Sequence, residues 1–437
     1  MIPGVTKGLW HLYRRSKVRL NALLYRVIEE CSLILSGARE VPFPLLQRAL
    51  QRMARCVGDV CWLLRDFPRL PAYRLAGSQW TIVLVGGEHS LIEVQRLFFA
   101  DQEVTLQELG RVSLWKLTAQ IRCWLSEETD LVICELSRIY PRRFPFPIVF
   151  TIPTWVQQVT EIPNPPERLL VGRHQDGTRF RINRARRSGF DCRFSRAKED
   201  LKHFYYRMYL PFVTGRHGKS AIVTPYSQQF QRFRKGGVLL ITRNGEPVAG
   251  SLCYVAGQIC YGSEYGVIDN DPDLIQQGIG TLVIWYTLLW AHKQRCLFLS
   301  LGGTRSWCSN GSFEYKLKWQ PTVTRLNEIY STWTFLAQRL SPALEEHLNQ
   351  IGFICEIRER FYRVLVKSNS QKMDKEFLDR ELARARHQGL AGLAIIAPSS
   401  PVILYQAGER ALETKGKRLW REFGSPNLSE DSQTLRL

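Results

Sequence analysis

Between residues 248 and 319 the apolar and polar positions pass through three rhythms in succession. Residues 248–268, VAGSLCYVAGQICYGSEYGVI, alternate at period two, the pattern of an antiparallel hairpin with one buried face. A polar turn over 269–273 leads to Gln276-Gln277-Gly278-Ile279-Gly280-Thr281, which opens the apolar run TLVIWYTLLWAHK, a predicted long helix. CLFLSLGG then reads as a buried strand ending on a glycine pair, followed by Asn310-Gly311-Ser312-Phe313-Glu314-Tyr315-Lys316-Leu317-Lys318-Trp319. Two strands, a glycine turn and a helix starting on glycines bring free backbone N–H groups to one point. With the positive end of the helix dipole they make an anion site, beside which a strand side chain such as Glu264 faces a ligand's reactive end. This is the layout of a site for a nucleotide-tailed ligand.

The rest of the chain is patterned in blocks. Residues 1–75 carry apolar positions at helical spacing in LNALLYRVIEECSLILSG and PLLQRALQRMARCVGDVCWLLRDF and are expected to form a helical appendage. Residues 76–165 read as a small α/β unit: strand TIVLVGG, helix SLIEVQRLFFA, helix VSLWKLTAQIRCWLSEE and buried strand DLVICEL. Gly86-Gly87 is either a ligand turn or a tight strand–helix turn. The proline-rich segments PRRFPFPIVFTIP and EIPNPPE mark a boundary.

In the unit expected over 166–368, RFRINRARR (179–187) reads as a basic strand and turn. Helix AKEDLKHFYYRMYLPFV, short helix YSQQFQRFRKG and hairpin GGVLLITRNGEPVAG with its Asn244-Gly245 turn follow. Beyond Trp319, STWTFLAQRLSPALEEHLNQIG is expected to be helical and RFYRVLV a strand. Residues 369–437 read as an appendage: a charged helix, the strands LAIIA and PVILY, a basic helix and a disordered polar tail.

At 437 residues, 45% hydrophobic and 23% charged, the chain has the size and composition for two or three domains with ample core. No apolar run reaches the roughly 18 residues of a spanning helix. MIPGVTKGLWHLYRRSKVRL lacks the apolar core of a secretory leader, so a cytoplasmic protein, peripheral at most to the inner face of a membrane, is expected. The 11 cysteines show no C-x-x-C or paired Cys/His spacing, which argues for a reduced compartment and against a metal.

Charge changes the picture more. Of the net +20, residues 1–75 contribute +8 (13 Lys/Arg against 5 Asp/Glu) and residues 173–235 contribute +12 (16 against 4). Such patches suit a polyanion: tRNA, an anionic membrane surface or a phosphorylated ligand. Oligomeric state is not encoded in any pattern here. Two tighter motifs fail. Gly215-Arg216-His217-Gly218-Lys219-Ser220 has two residues between its glycines where a phosphate loop needs four, and no G-x-G-x-x-G follows a strand.

The order strand, two helices, three-strand meander, glycine-opened helix, strand, helix, strand is that of the GNAT acyltransferase fold. Residues 170–365 resemble the GNAT domain of the Fem-type and related bacterial acyltransferases. The resemblance rests on the basic first strand, MYLPFVTGRHG, NGEPVAGSLCY, Gly278-x-Gly280, LSLGG and Gly311-x-x-x-Tyr315-Lys316-x-x-Trp319. It implies an α/β (α+β) architecture in which 76–165 is a reduced GNAT-like copy.

The resemblance also implies acyl transfer from acyl-CoA, such as acetyl-CoA, to an amine or hydroxyl, for instance on a cell-envelope or polysaccharide precursor. The donor pyrophosphate would rest on Gln277, Gly278, Ile279, Gly280 and Thr281. Glu264 would act as base, Tyr315 as acid, Arg216 and His217 as acceptor contacts, and Lys316 would hold a substrate carboxylate or phosphate. Ile275 departs from the pattern, standing where the usual loop has Arg or Gln. Two alternatives stay open: a Fem-type transferase drawing on aminoacyl-tRNA to modify peptidoglycan, and a GNAT-like binding module without catalysis.

Overall fold

The computed structural model describes residues 69–414 except 101, 138–143, 147, 172–175, 219–220, 327–330, 368–373, 398–401 and 407–408. Of the helical appendage expected over residues 1–75, the first 68 residues lie outside the described residues and 69–75 belong to a strand. Of the basic helix and tail expected after PVILY, residues 409–414 form a strand and those beyond 414 lie outside the described residues.

In chain order the elements are β1 (Arg69–Ala76), β2 (Thr81–Val85), α1 (Glu88–Phe98), β3 (Thr105–Ser113), α2 (Leu117–Ser126), β4 (Leu131–Ser137), β5 (Ile148–Pro153) and β6 (Trp155–Glu161). Then come α3 (Asp176–Arg187), β7 (Phe190–Ser195) and α4 (Lys198–His203), which runs through a π-helical stretch (Phe204–Tyr209) into α5 (Leu210–His217). Next are α6 (Tyr226–Arg234), β8 (Gly236–Arg243), β9 (Glu246–Ala256), β10 (Ile259–Val267), α7 (Pro272–Gln276), α8 (Ile279–Lys293), β11 (Phe298–Arg305), α9 (Gly311–Leu317), β12 (Thr322–Arg325) and β13 (Ser331–Ala337). The chain closes with α10 (Pro342–Ile351), β14 (Ile354–Ile357), β15 (Arg360–Val366), α11 (Lys375–His387), β16 (Gly392–Ile396), β17 (Val402–Gln406) and β18 (Glu409–Thr414).

The result is a mixed α/β protein with three sheets. The first has the order β3-β1-β2-β4-β13-β5, the second β12-β6-β11-β10-β9-β8-β7, the third β14-β15-β16-β17-β18. The first two share a plan. Each has one parallel pair inside it, β2 with β4 and β10 with β11; the chain passes from β2 to β4 through α1, β3 and α2, and from β10 to β11 through α7 and α8. Beyond the pair, each continues through two antiparallel strands, β4-β13-β5 and β11-β6-β12.

The strand inserted second in each case comes from the other half of the chain. Strand β6 leaves β5 of the first sheet through Thr154 and enters the second, between β11 and β12. Strand β13 leaves β12 of the second sheet and enters the first, between β4 and β5. The two exchanged strands meet where the Thr154 N–H donates to the Ser331 carbonyl at 3.2 Å and the two hydroxyls lie 2.8 Å apart. Residues 155–161 and 331–337 therefore sit across the expected boundary at 165/166. Of the two proline-rich segments read as a boundary, residues 148–153 of the first form strand β5, and the second begins on the last residue of β6 and leads into a 3-10 turn at Pro166–Leu170.

Two element expectations are corrected. STWTFLA is not helical but strand β13, buried at all seven positions, so no amphipathic period marks it; its β-branched and aromatic residues suit a central strand. The helix begins only at Pro342, capped by the Ser341 hydroxyl, which accepts the Leu344 N–H. RFRINRARR is not a strand but part of helix α3. The apparent alternation Phe180/Ile182 misleads, because Phe180 is 64% exposed while Ile182 and Ala185, three apart, are buried.

One apolar core lies against α8 and includes Ile241, Cys253, Cys260, Ile279, Trp285 and Leu299. A second, on the other side of β8 and β9, holds Leu201, Phe204, Met208, Phe233, Val238, Leu240 and Leu252 under the π-helical stretch and α6. Strand β10 runs between them.

Candidate active site

Strands β10 and β11 pair in parallel over only three positions, Ile259–Tyr261 with Phe298–Ser300. Both are irregular where they part: the register of β10 on β9 shifts between Tyr261 and Glu264, and that of β11 on β6 between Ser300 and Gly303. Bulges bend strands and re-aim side chains, and beyond these positions the two strands are no longer paired. Gly262 belongs there because a Cβ on it would stand 2.7 Å from the Thr287 methyl of α8.

The head of α8 lies beside the unpaired part of β10, where a Cβ on Gly280 would stand 3.7 Å from the Tyr265 ring. Gly278, its N-cap, has φ +84°, a left-handed conformation that glycine adopts without strain. The N–H of Gln277 donates to Asp273 O at 2.9 Å and that of Gly278 to Ile275 O at 3.0 Å, closing α7, while the Thr281 N–H donates to Gly278 O at 2.9 Å. This leaves the amides of Ile279 and Gly280 ahead of the first intrahelical bond, at the positive end of a 15-residue helix. Of the five loop residues singled out in the sequence, these two present the amides suited to an anion.

Three cationic side chains gather at the same point. Arg181 of α3 lies over Gly278, where a Cβ would be 3.3 Å from its Cδ. Lys318 places its Nζ 4.0 Å from the centre of the Tyr315 ring, and burial with the nearby Arg181 pulls its pKa down to about 8. Arg216 lies over the Phe212 ring and acts electrostatically on both Tyr315 and Tyr265. Only Arg216 was picked out from the sequence. The signal for the other two was the basic run around Arg181 and the closeness of Lys318 to Tyr315.

Tyr315 reaches the loop from α9. Its hydroxyl is 3.4 Å from the Thr281 hydroxyl and would be 2.9 Å from a Cβ on Gly280, so only glycine fits beneath it. Burial first, then the neighbouring Tyr265, push its pKa well above that of an ordinary tyrosine, so the group stays a neutral proton donor.

Lys316, one residue on, points to the splayed strand: its ammonium donates to the carbonyls of Gly302 (3.2 Å) and Gly303 (3.0 Å). Burial draws its pKa down to about 7, against the pull of those two carbonyls, which favour the charged form.

Glu264, 7% exposed, is bound to the Arg232 guanidinium of α6. The Tyr209 hydroxyl lies within the field of this pair and accepts the Thr224 N–H at 2.8 Å. Gln229, one turn before Arg232 on α6, is completely buried, and neither of its amide atoms has a hydrogen-bond partner. Neither Arg232 nor Gln229 stood out in the sequence; on a short helix both read as ordinary polar positions. His217 ends α5 before Gly218; its side chain lies outside what is described.

The first sheet closes the equivalent place. At the head of α1 the Glu135 carboxylate accepts the Gly87 N–H at 3.2 Å and the Ser90 hydroxyl at 2.8 Å. A carboxylate of the chain thus takes the position an external anion would take, and Gly86-Gly87 serves as a tight turn beneath it. Among the described residues no group of His, Cys, Asp and Glu could hold a metal ion, and no helix is long and apolar enough to cross a membrane.

Residues 173–317 match the family model described as an acetyltransferase (GNAT) domain. No curated protein matches the chain. Similar solved structures include L-PGS from Bacillus licheniformis (14% identity, 65% of this chain and 88% of that one, TM-score 0.31). FemX is another (10% identity, 64% and 91%, TM-score 0.32), as is a tandem GNAT protein from the clavulanic acid biosynthesis pathway (12% identity, 64% and 86%, TM-score 0.25).

Proposed function

For a chain that carries a GNAT acetyltransferase domain over residues 173–317, we propose an acyltransferase that moves an acyl group from acyl-CoA to an amine or hydroxyl acceptor. The single observation that carries this is the parting of β10 from β11 beside the head of α8, where two outward amides and three cations converge.

The residues fit a pyrophosphate. Ile279 and Gly280 would donate backbone N–H bonds, and Arg181, Arg216 and Lys318 would neutralise its charge. Acyl-CoA supplies a thioester, and transfer forms an amide or ester while the thiolate departs. Tyr315, held neutral by burial, is the group placed to give the departing sulfur a proton.

Two groups can take the nucleophile's proton. Glu264 is one, once its carboxylate is released from Arg232. Lys316, whose pKa burial draws down, is the other. With Arg216 assigned to the donor pyrophosphate, His217 beside it at the end of α5 remains our candidate for contact with the acceptor, for which a cell-envelope or polysaccharide precursor is the class we favour.

One observation favours a second donor. An extended pantetheine arm laid between the parted strands would need backbone groups to pair with, and Lys316 already occupies the β11 carbonyls of Gly302 and Gly303. An aminoacyl ester on a tRNA end needs no such pairing. The deciding experiment is thermal denaturation with CoA and acetyl-CoA, set beside aminoacyl-tRNA. A ligand at about 100 times its Kd raises stability by roughly 2.7 kcal/mol. A rise with CoA that disappears in Arg181→Ala/Lys318→Ala supports the CoA reading. A rise only with charged tRNA overturns it in favour of the second, and no rise with either overturns both.

A further inference from the structure

Helix α3 exposes a face that neither the core nor the ligand site uses. Ile182 and Ala185 anchor the helix and Arg181 turns back over Gly278. On the opposite side Phe180, Arg184 and Arg187 follow one another at spacings of four and three, one aromatic ring in line with two exposed guanidinium groups. Phe180 is 64% exposed, an unusual position for a phenylalanine on a helix this polar.

Two aliphatic side chains in the same basic stretch of the chain are also bare: Val171, five residues ahead of α3 and 69% exposed, and Ile222, six residues after Arg216 and 53% exposed. Along this stretch, residues 173–235 carry 16 Lys/Arg against 4 Asp/Glu. A merely solvated basic face has no use for three exposed apolar side chains. An RNA face would use the aromatic ring, but not Val171 and Ile222, which offer no surface for base stacking. Cations combined with exposed aromatic and aliphatic groups suit the boundary of an anionic bilayer, where phosphates meet acyl chains.

We propose that α3 docks on an anionic membrane surface. Phe180 enters the headgroup boundary, Arg184 and Arg187 pair with lipid phosphates, and Arg181 on the inner side of the same helix keeps its place at the ligand site. The chain thereby works on an acceptor held at a membrane surface. The docking does not depend on which donor is used, because it is read without any turnover.

The test is co-sedimentation of the full chain with phosphatidylcholine vesicles, with and without about one third phosphatidylglycerol. Binding is expected only with the anionic lipid, falling as salt rises. It should weaken roughly tenfold in Phe180→Ser, which leaves the charge unchanged, and at least as much in Arg184→Gln/Arg187→Gln. Equal thermal denaturation of variants and parent shows that the fold is intact. In Phe180→Trp the emission should shift to the blue on vesicles and be quenched by brominated acyl chains.

Absence of binding overturns the proposal. So does binding unchanged in the α3 variants, which would assign the affinity to another basic stretch such as residues 1–75. Binding to single-stranded RNA that the same variants abolish, with vesicles ignored, overturns it in favour of a nucleic-acid face. Failure of CoA to bind in the thermal experiment leaves the vesicle result untouched, so the two readings fail separately.

Discussion

Glu264 on β10 and Arg232 on α6 form an ion pair, with side-chain exposures of only 8% and 18%. The carboxylate expected to serve as base is therefore held by a guanidinium from the helix that covers it. Removing one partner of a buried pair leaves a charge without compensation and costs about 3–5 kcal/mol, whereas replacing both with apolar groups is close to neutral. Arg232→Met and Glu264→Leu should each lower the denaturant midpoint clearly, and the double variant should recover most of the loss. Additive losses would show that the pair is not coupled.

Activity should separate the two residues. A base contributes on the order of 100- to 10,000-fold. Glu264→Gln should cut kcat within that range, while Arg232→Lys, which keeps the charge, should change it by less than about tenfold. Equal loss in the two variants would assign Glu264 a structural role.

Lys316 gives a pH signature. Its pKa in the folded chain, about 7, lies below that in the unfolded chain, so between about pH 7 and 10 the unfolded state binds more protons. Its contribution to stability therefore rises with pH across that window and is constant below it. The difference in unfolding free energy between the parent and Lys316→Met, measured by urea titration from pH 6 to 10, should grow with pH. A flat difference would show that the ammonium stays charged on the Gly302 and Gly303 carbonyls.

Gln229 is completely buried with both amide atoms unpartnered. A buried polar group without a hydrogen bond costs about 1–3 kcal/mol. Gln229→Met, similar in size and apolar, should raise stability by about 1–2 kcal/mol. Because the residue sits one turn from Arg232, acyl transfer should fall in the same variant. Loss of stability would instead show that the amide is paired in solution.

The strand exchange predicts the behaviour of fragments. A chain starting at residue 166 lacks β6 and leaves β11 and β12 with open edges, while one starting at residue 150 retains it. The shorter fragment should aggregate on expression and the longer one stay more soluble. Equal solubility, read by size-exclusion chromatography, would argue that β6 is dispensable to the second sheet.

Much of the second sheet could be read from the chain because its signals are local. The hairpin β9–β10 alternates at period two, α8 opens on glycines, and the Asn244-Gly245 turn joins β8 to β9. Each depends on residues close together in sequence, so pattern and turn chemistry carry it. The approach of Tyr315 to Gly280 was half legible: both were named, but not that one lies on the other.

What the tertiary structure alone decided are relations between distant residues. STWTFLA is buried on both faces, and a doubly buried strand has no period to show which sheet receives it. That β13 crosses to the first sheet while β6 crosses to the second is settled by which open edge each can complete. Arg232 with Glu264, Arg181 over Gly278, Lys316 on the β11 carbonyls and Glu135 in the head of α1 join groups 13 to 97 positions apart. Electrostatic pairing acts through space, not along the chain. Sequence by itself determined which chemical groups this protein owns and most of the elements that carry them; packing determined which of those groups remain available to a ligand and which are spent on each other.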